Sequence, residues 1–81
     1  MAAGLALNQA DVTTPGGVHE AVTVLVRRGT AVVRKGRVVV AEADGVESVS
    51  TTARRAWLVT FTDGTSWAVK QIPCLPCTGR R

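Results

Sequence analysis

From Val18 onward the chain alternates between apolar and polar residues. In "HEAVTVLVRRG", Val22, Val24 and Val26 fall on one side and Thr23, Leu25 and Arg27 on the other. That period of two predicts a half-buried strand, which Gly29 ends. "AVVRKGRVVVAEA" reads as a hairpin turning at Lys35-Gly36, which would pair Val33 with Val38 and Arg34 with Arg37. Asp44-Gly45 supplies a further turn. Residues 46–55, "VESVSTTARR", read as a short strand around 46–50 followed by a polar loop.

The strongest pattern lies in "AWLVTFTDGTSWAVKQI". Trp57, Val59 and Phe61 alternate on one strand, and Thr65, Trp67 and Val69 on the next. A two-residue Asp-Gly turn would mix the faces. A three-residue loop, Thr62-Asp63-Gly64, pairs Val59 with Trp67 and Trp57 with Val69, so the large apolar groups share one face. A slip of one residue would turn every side chain over, so this pattern sets the register. Gly64 then takes the left-handed position such a loop requires.

The first 17 residues lack the alternation and read as an N-terminal arm. Leu5 and Leu7 are apolar, Asn8 to Asp11 polar, and Pro15-Gly16-Gly17 is a breaker; a short helical turn fits residues 2–9. Leu5 and Leu7 must be covered, either by their own domain or by a neighbour. The expected organisation is an arm over 1–17, a β-domain over 18–72 and a C-terminal tail over 73–81. The fold class that follows is all-β: a small antiparallel β-barrel or sandwich of five to six short strands, with extended N- and C-terminal arms.

Composition sharpens this picture. The 81 residues make one small domain, 46% hydrophobic, with fourteen valines and eleven alanines but one phenylalanine and two tryptophans. Small side chains bury little area each, roughly 25 cal/mol per Å² of apolar surface. A domain of this size is marginal alone, so help from neighbouring subunits is expected. No apolar run reaches the ~20 residues of a membrane helix, and the N-terminus lacks the pattern of a secretory signal. Synthesis in a cytoplasm without membrane attachment is the expectation.

The net charge is +4, from ten basic and six acidic residues. The basic residues cluster as Arg27-Arg28, Arg34-Lys35-Arg37, Arg54-Arg55 and Arg80-Arg81. Arg27, Arg28, Arg34, Lys35 and Arg37 are the candidate contacts for an anion or nucleic acid. Base stacking is not expected, because the three aromatic residues belong to the hairpin core.

Candidate catalytic groups are few, and no enzyme is expected. His19 is the single histidine, with Glu20 beside it, and no glycine-rich phosphate loop occurs. Cys74 and Cys77 have the Cys-x-x-Cys spacing of redox pairs and zinc half-sites. Pro73 and Pro76 favour an extended tail over the helix a redox pair uses. Zinc needs four ligands, and Cys74, Cys77 and His19 leave one chain one short. A zinc clip would draw Cys74 and Cys77 from each of two chains; a disulfide or packed thiols are the other readings. No cofactor is expected. The apolar strip Ile72, Pro73, Leu75 and Pro76, together with Leu5 and Leu7, is the candidate partner-binding surface.

"WLVTFTDGTSWAVKQIPCLPC", Trp57 to Cys77, resembles the C-terminal part of short structural proteins of tailed phages of actinobacteria. These run a DGT-x-W-x-V hairpin into a cysteine-containing tail, and the likeness covers about a quarter of the chain. The resemblance implies a virion component: a capsid-decorating or cementing protein, or part of the head-tail junction. Its partners would be protein subunits of the same symmetric particle, including further copies of the chain. A basic β-barrel that binds nucleic acid is the alternative expectation, and a zinc-clipped interaction module the second.

Overall fold

The computed structural model describes residues 4–72. Seven antiparallel strands form one sheet: β1 (Leu5–Thr14), β2 (Gly17–Arg27), β3 (Thr30–Lys35), β4 (Val38–Asp44), β5 (Val46–Ala53), β6 (Ala56–Phe61) and β7 (Ser66–Gln71). Their order is β4-β3-β2-β1-β7-β6-β5. The all-β, antiparallel class is as the sequence predicts, with seven strands in place of five or six. The edges β4 and β5 are not hydrogen-bonded to each other, so the sheet is open.

The largest departure is at the N-terminus. Residues 5–14 are not an arm and contain no helical turn; they form the central strand, paired with β2 on one side and β7 on the other. Leu5, Leu7, Ala10 and Val12 face the core. Seven and ten differ by three, so a strict period of two breaks between them, and an irregularity at Asn8-Gln9 absorbs the extra residue. That insertion hides a strand inside what reads as a polar run.

A second irregularity cancels the first. Pairing starts at Leu5↔Val26, slips by one to reach Ala10↔Val22, and slips back at Val12↔His19 through an extra residue in β2. Ala21 sits there with φ 55°, and its N–H donates to the Asp11 carboxylate at 3.2 Å. Bulges increase the local twist. Two of them in the central ladder let one sheet curl around a single hydrophobic cluster to which every strand contributes.

Gly45 alone joins β4 to β5, at φ 80°. It is a corner and not a hairpin turn: the Val46 N–H donates to Gly29 O at 3.0 Å, and the Thr62 N–H to Gly45 O at 2.8 Å. A Cβ at this position would stand 2.9 Å from the Thr62 hydroxyl oxygen. Backbone conformation and crowding both require glycine here.

The β6–β7 hairpin has the expected register, with Trp57↔Val69 and Val59↔Trp67. The loop Thr62-Asp63-Gly64 closes through Phe61 N–H to Thr65 O at 2.9 Å, with Gly64 at φ 93°. Phe61 and Trp67 meet inside with ring centroids 4.9 Å apart, tilted by 56°, a favourable aromatic geometry.

The β3–β4 hairpin differs from expectation. Its turn is Gly36-Arg37, and the pairs are Lys35↔Val38, Arg34↔Val39 and Val33↔Ala41, with Val40 as the extra residue of a bulge. Arg34 therefore stands opposite Val39, and the like-charge pair with Arg37 does not form. Gly36 adopts φ 64° at the first central position, the mirror-image turn that matches strand twist. β5 is also longer than expected, running to Ala53 before a turn at Arg54-Arg55.

Candidate functional site

The surfaces that could meet a partner are the two open edges and the outer face of the sheet. On the outer face of β1, β2 and β3, alternation leaves Ala6, Asn8, Thr23, Leu25, Val32 and Arg34 pointing away from the core. They line an open groove of about 330 Å³, apolar apart from Asn8, Thr23 and Arg34. A smaller depression of about 230 Å³ lies where β2 overhangs the β3–β4 hairpin, between Val18, His19, Glu20 and Lys35.

Exposed valines gather at the same hairpin. Val18, Val38 and Val39 are 61%, 63% and 51% exposed. Val38 and Val39 belong to an edge strand, whose outward N–H and C=O groups have no strand partner among the described residues. Natural edges are commonly blunted by lysine, proline or inward-pointing charge. Here the bulge at Val40 bends the edge, but the residues beside it are apolar.

The sequence candidates are distributed differently. Leu5 and Leu7 are half-buried and pack on the core of their own domain. Ile72 is also half-buried, and its N–H donates to Gln9 O at 3.0 Å, which holds it beside β1. Pro73, Cys74, Leu75, Pro76 and Cys77 lie outside the described residues, as do Arg80 and Arg81.

The basic candidates divide into separate groups. Arg27 and Arg28 lie at the β2–β3 turn, whereas Lys35 and Arg37 lie at the β3–β4 turn at the other end of β3. At ~3.3 Å per residue, a six-residue strand separates those turns by roughly 17 Å. Arg34 lies on the outer face between Thr23 and Val39. Of the aromatic residues, Phe61 and Trp67 are buried and Trp57 is half-buried. Phe61 and Trp67 therefore have no open face for stacking a base.

The one carboxylate with a clear electrostatic signature is Asp63, in the β6–β7 loop. Its Oδ1 accepts from the Thr65 hydroxyl at 2.6 Å and from the Thr65 N–H at 2.9 Å. These bonds, the hydroxyl foremost, hold its carboxyl below the usual range. The role is structural: Asp63 ties down the loop that fixes the hairpin. Among the described residues no group of three or more His, Cys, Asp and Glu side chains comes together to hold a metal. No helix among them is long and apolar enough to cross a membrane.

Sequence reasoning missed the apolar edge. The signal was present in the run Val38-Val39-Val40, where three valines in succession must put at least one on the outer side of any strand. No protein-family model, curated protein or solved structure matches the chain.

Proposed function

We propose that the protein is a non-enzymatic structural subunit of a larger symmetric assembly. A phage particle is the setting its hairpin-and-tail resemblance favours, with a capsid-decorating, cementing or head-tail junction role. The observation that carries the reading is the make-up of the core. Of the eleven buried hydrophobic residues among those described, seven are valines and two are alanines, with Phe61 and Trp67 the two large groups. Such a core supplies little burial energy for a chain of 81 residues, while valines and unpaired edges stay outside. Contacts with neighbouring subunits would supply what the isolated domain lacks. Partners of this kind are protein faces, with the β4 edge and the tail beyond Ile72 as contact elements.

The test is thermal unfolding at several protein concentrations, with native mass measurement alongside. A subunit stabilised by its neighbours unfolds at a midpoint that rises with concentration. In particles that contain the chain, its copy number follows the particle symmetry. Tight, salt-sensitive binding of DNA or RNA by the isolated monomer would reverse the reading in favour of a nucleic-acid-binding barrel.

A further inference from the structure

Followed from its hairpin turn, the β4 edge carries basic, apolar and acidic residues in that order. Arg37 lies in the turn with Lys35 beside it at the end of β3, Val38 and Val39 follow, and Glu42 and Asp44 close the strand. All six are exposed. Asp44 accepts from the Thr30 hydroxyl at 3.0 Å, which holds its carboxylate at the acidic end of the ladder.

This order is self-complementary. When two identical strands meet edge to edge about a two-fold axis they run antiparallel, and each end of one lies beside the opposite end of the other. The basic turn of each copy then faces the acids of its partner, twice over, and the exposed valines are covered. A parallel meeting would set like charge against like. The other edge offers less. The exposed residues of β5 are Glu47, Ser50, Thr51, Thr52 and Ala53, without a large apolar group. An antiparallel meeting of β4 with β5 of a second copy would place Lys35 and Arg37 against Arg54 and Arg55.

Building on the reading as an assembly subunit, we infer that two copies of this chain dimerise through their β4 edges, antiparallel about a two-fold axis. Main-chain hydrogen bonds join the two sheets, Val38 and Val39 exclude water, and the charges at each end set direction and register.

Light scattering on the eluting full-length chain, from micromolar to millimolar concentration, tests this. Lys35→Glu with Arg37→Glu is expected to weaken dimerisation about tenfold or more, as is Glu42→Lys with Asp44→Lys, because each exchanges attraction for repulsion at both ends. The variant carrying all four changes should recover dimerisation to within about threefold of the starting chain. Circular dichroism and thermal unfolding of each variant establish that it folds. Oligomers indifferent to either reversal, or a four-fold variant no better than the pairs, would overturn the β4 interface and leave the assembly reading standing. So would oligomers larger than dimers that are lost on Thr51→Lys in β5. A chain that stays monomeric at millimolar concentration, with a midpoint independent of concentration, removes both.

Discussion

The hairpins β6–β7 and β3–β4 share a plan, two six- or seven-residue strands and a glycine-containing turn, but are held in different ways. In β6–β7 the inward side carries Trp57, Val59, Phe61, Trp67 and Val69. A slip of one residue would expose two indoles and a phenyl ring, so the side chains pin the register. In β3–β4 the inward side carries Ala31, Val33, Ala41 and Ala43, with the bulge residue Val40 also against the core, while the outward side holds Val32 and Val39. Apolar residues stand on both faces, and a slip exchanges one small group for another. There the turn at Gly36 and the bulge at Val40 decide the pairing. Register is held by side-chain contrast in one hairpin and by backbone geometry in the other.

Single-residue deletions should separate the two most sharply. Removing Leu58 from β6 reverses every residue on one side of it and is expected to abolish cooperative unfolding. Removing Val40 takes out the bulge residue of an edge strand together with its half-buried contact on the core, and should leave a folded protein less stable by about 2 kcal/mol. Equal damage from both deletions, followed by urea unfolding, would break the comparison.

Truncations come next in size. Trp67→Ala should cost about 3–5 kcal/mol, against about 2 kcal/mol for Val33→Ala, which removes two buried carbons. If the valine change proved the costlier, the β6–β7 hairpin would not be the anchor of the core.

Turn substitutions should be smaller. Gly64→Val forces a branched residue into the left-handed region and is expected to cost more than about 1 kcal/mol. Ala21→Gly should act in the opposite direction, stabilising by up to about 1 kcal/mol, since Ala21 already occupies that region within its bulge. An unchanged midpoint for both would show that these loops relax freely.

The smallest effect should be the pH dependence at Asp63. Its carboxyl ionises more readily in the folded chain than in the unfolded one. The stabilisation is therefore complete above the ordinary carboxylate range and is lost as pH falls through the lower folded value. Asp63→Asn should lower the thermal midpoint slightly at neutral pH, and the gap should close on acidification. A constant gap would assign the effect to the turn backbone and not to the charge.

Legibility in the sequence followed contrast between faces. Val22, Val24 and Val26 and the whole β6–β7 register could be read directly, because large apolar groups alternate with polar ones. β1 could not be read, because the insertion at Asn8-Gln9 breaks its period and its burial depends on β7, far along the chain, as well as on the adjoining β2. The candidate surface fared similarly. Leu5 and Leu7 read as groups that either their own domain or a neighbour must cover, and their own fold buries them in part. Val38 read as the partner of Val33 in a hairpin, but it pairs with Lys35 and lies with Val39 on an edge.

Composition and alternation by themselves determined that this protein is all-β, with a valine-rich core and a three-residue loop ending at Gly64, since those features depend on neighbours within a few residues. Which strands would be central, which would be edges, and where Arg27 and Lys35 would stand relative to each other were decided only by the tertiary structure. Strand order is set by contacts between distant segments. Bulges at Ala21 and Val40 shift pairing by one residue at sites where local energies for the alternatives are nearly equal, so only closure of the sheet over a common core selects among them.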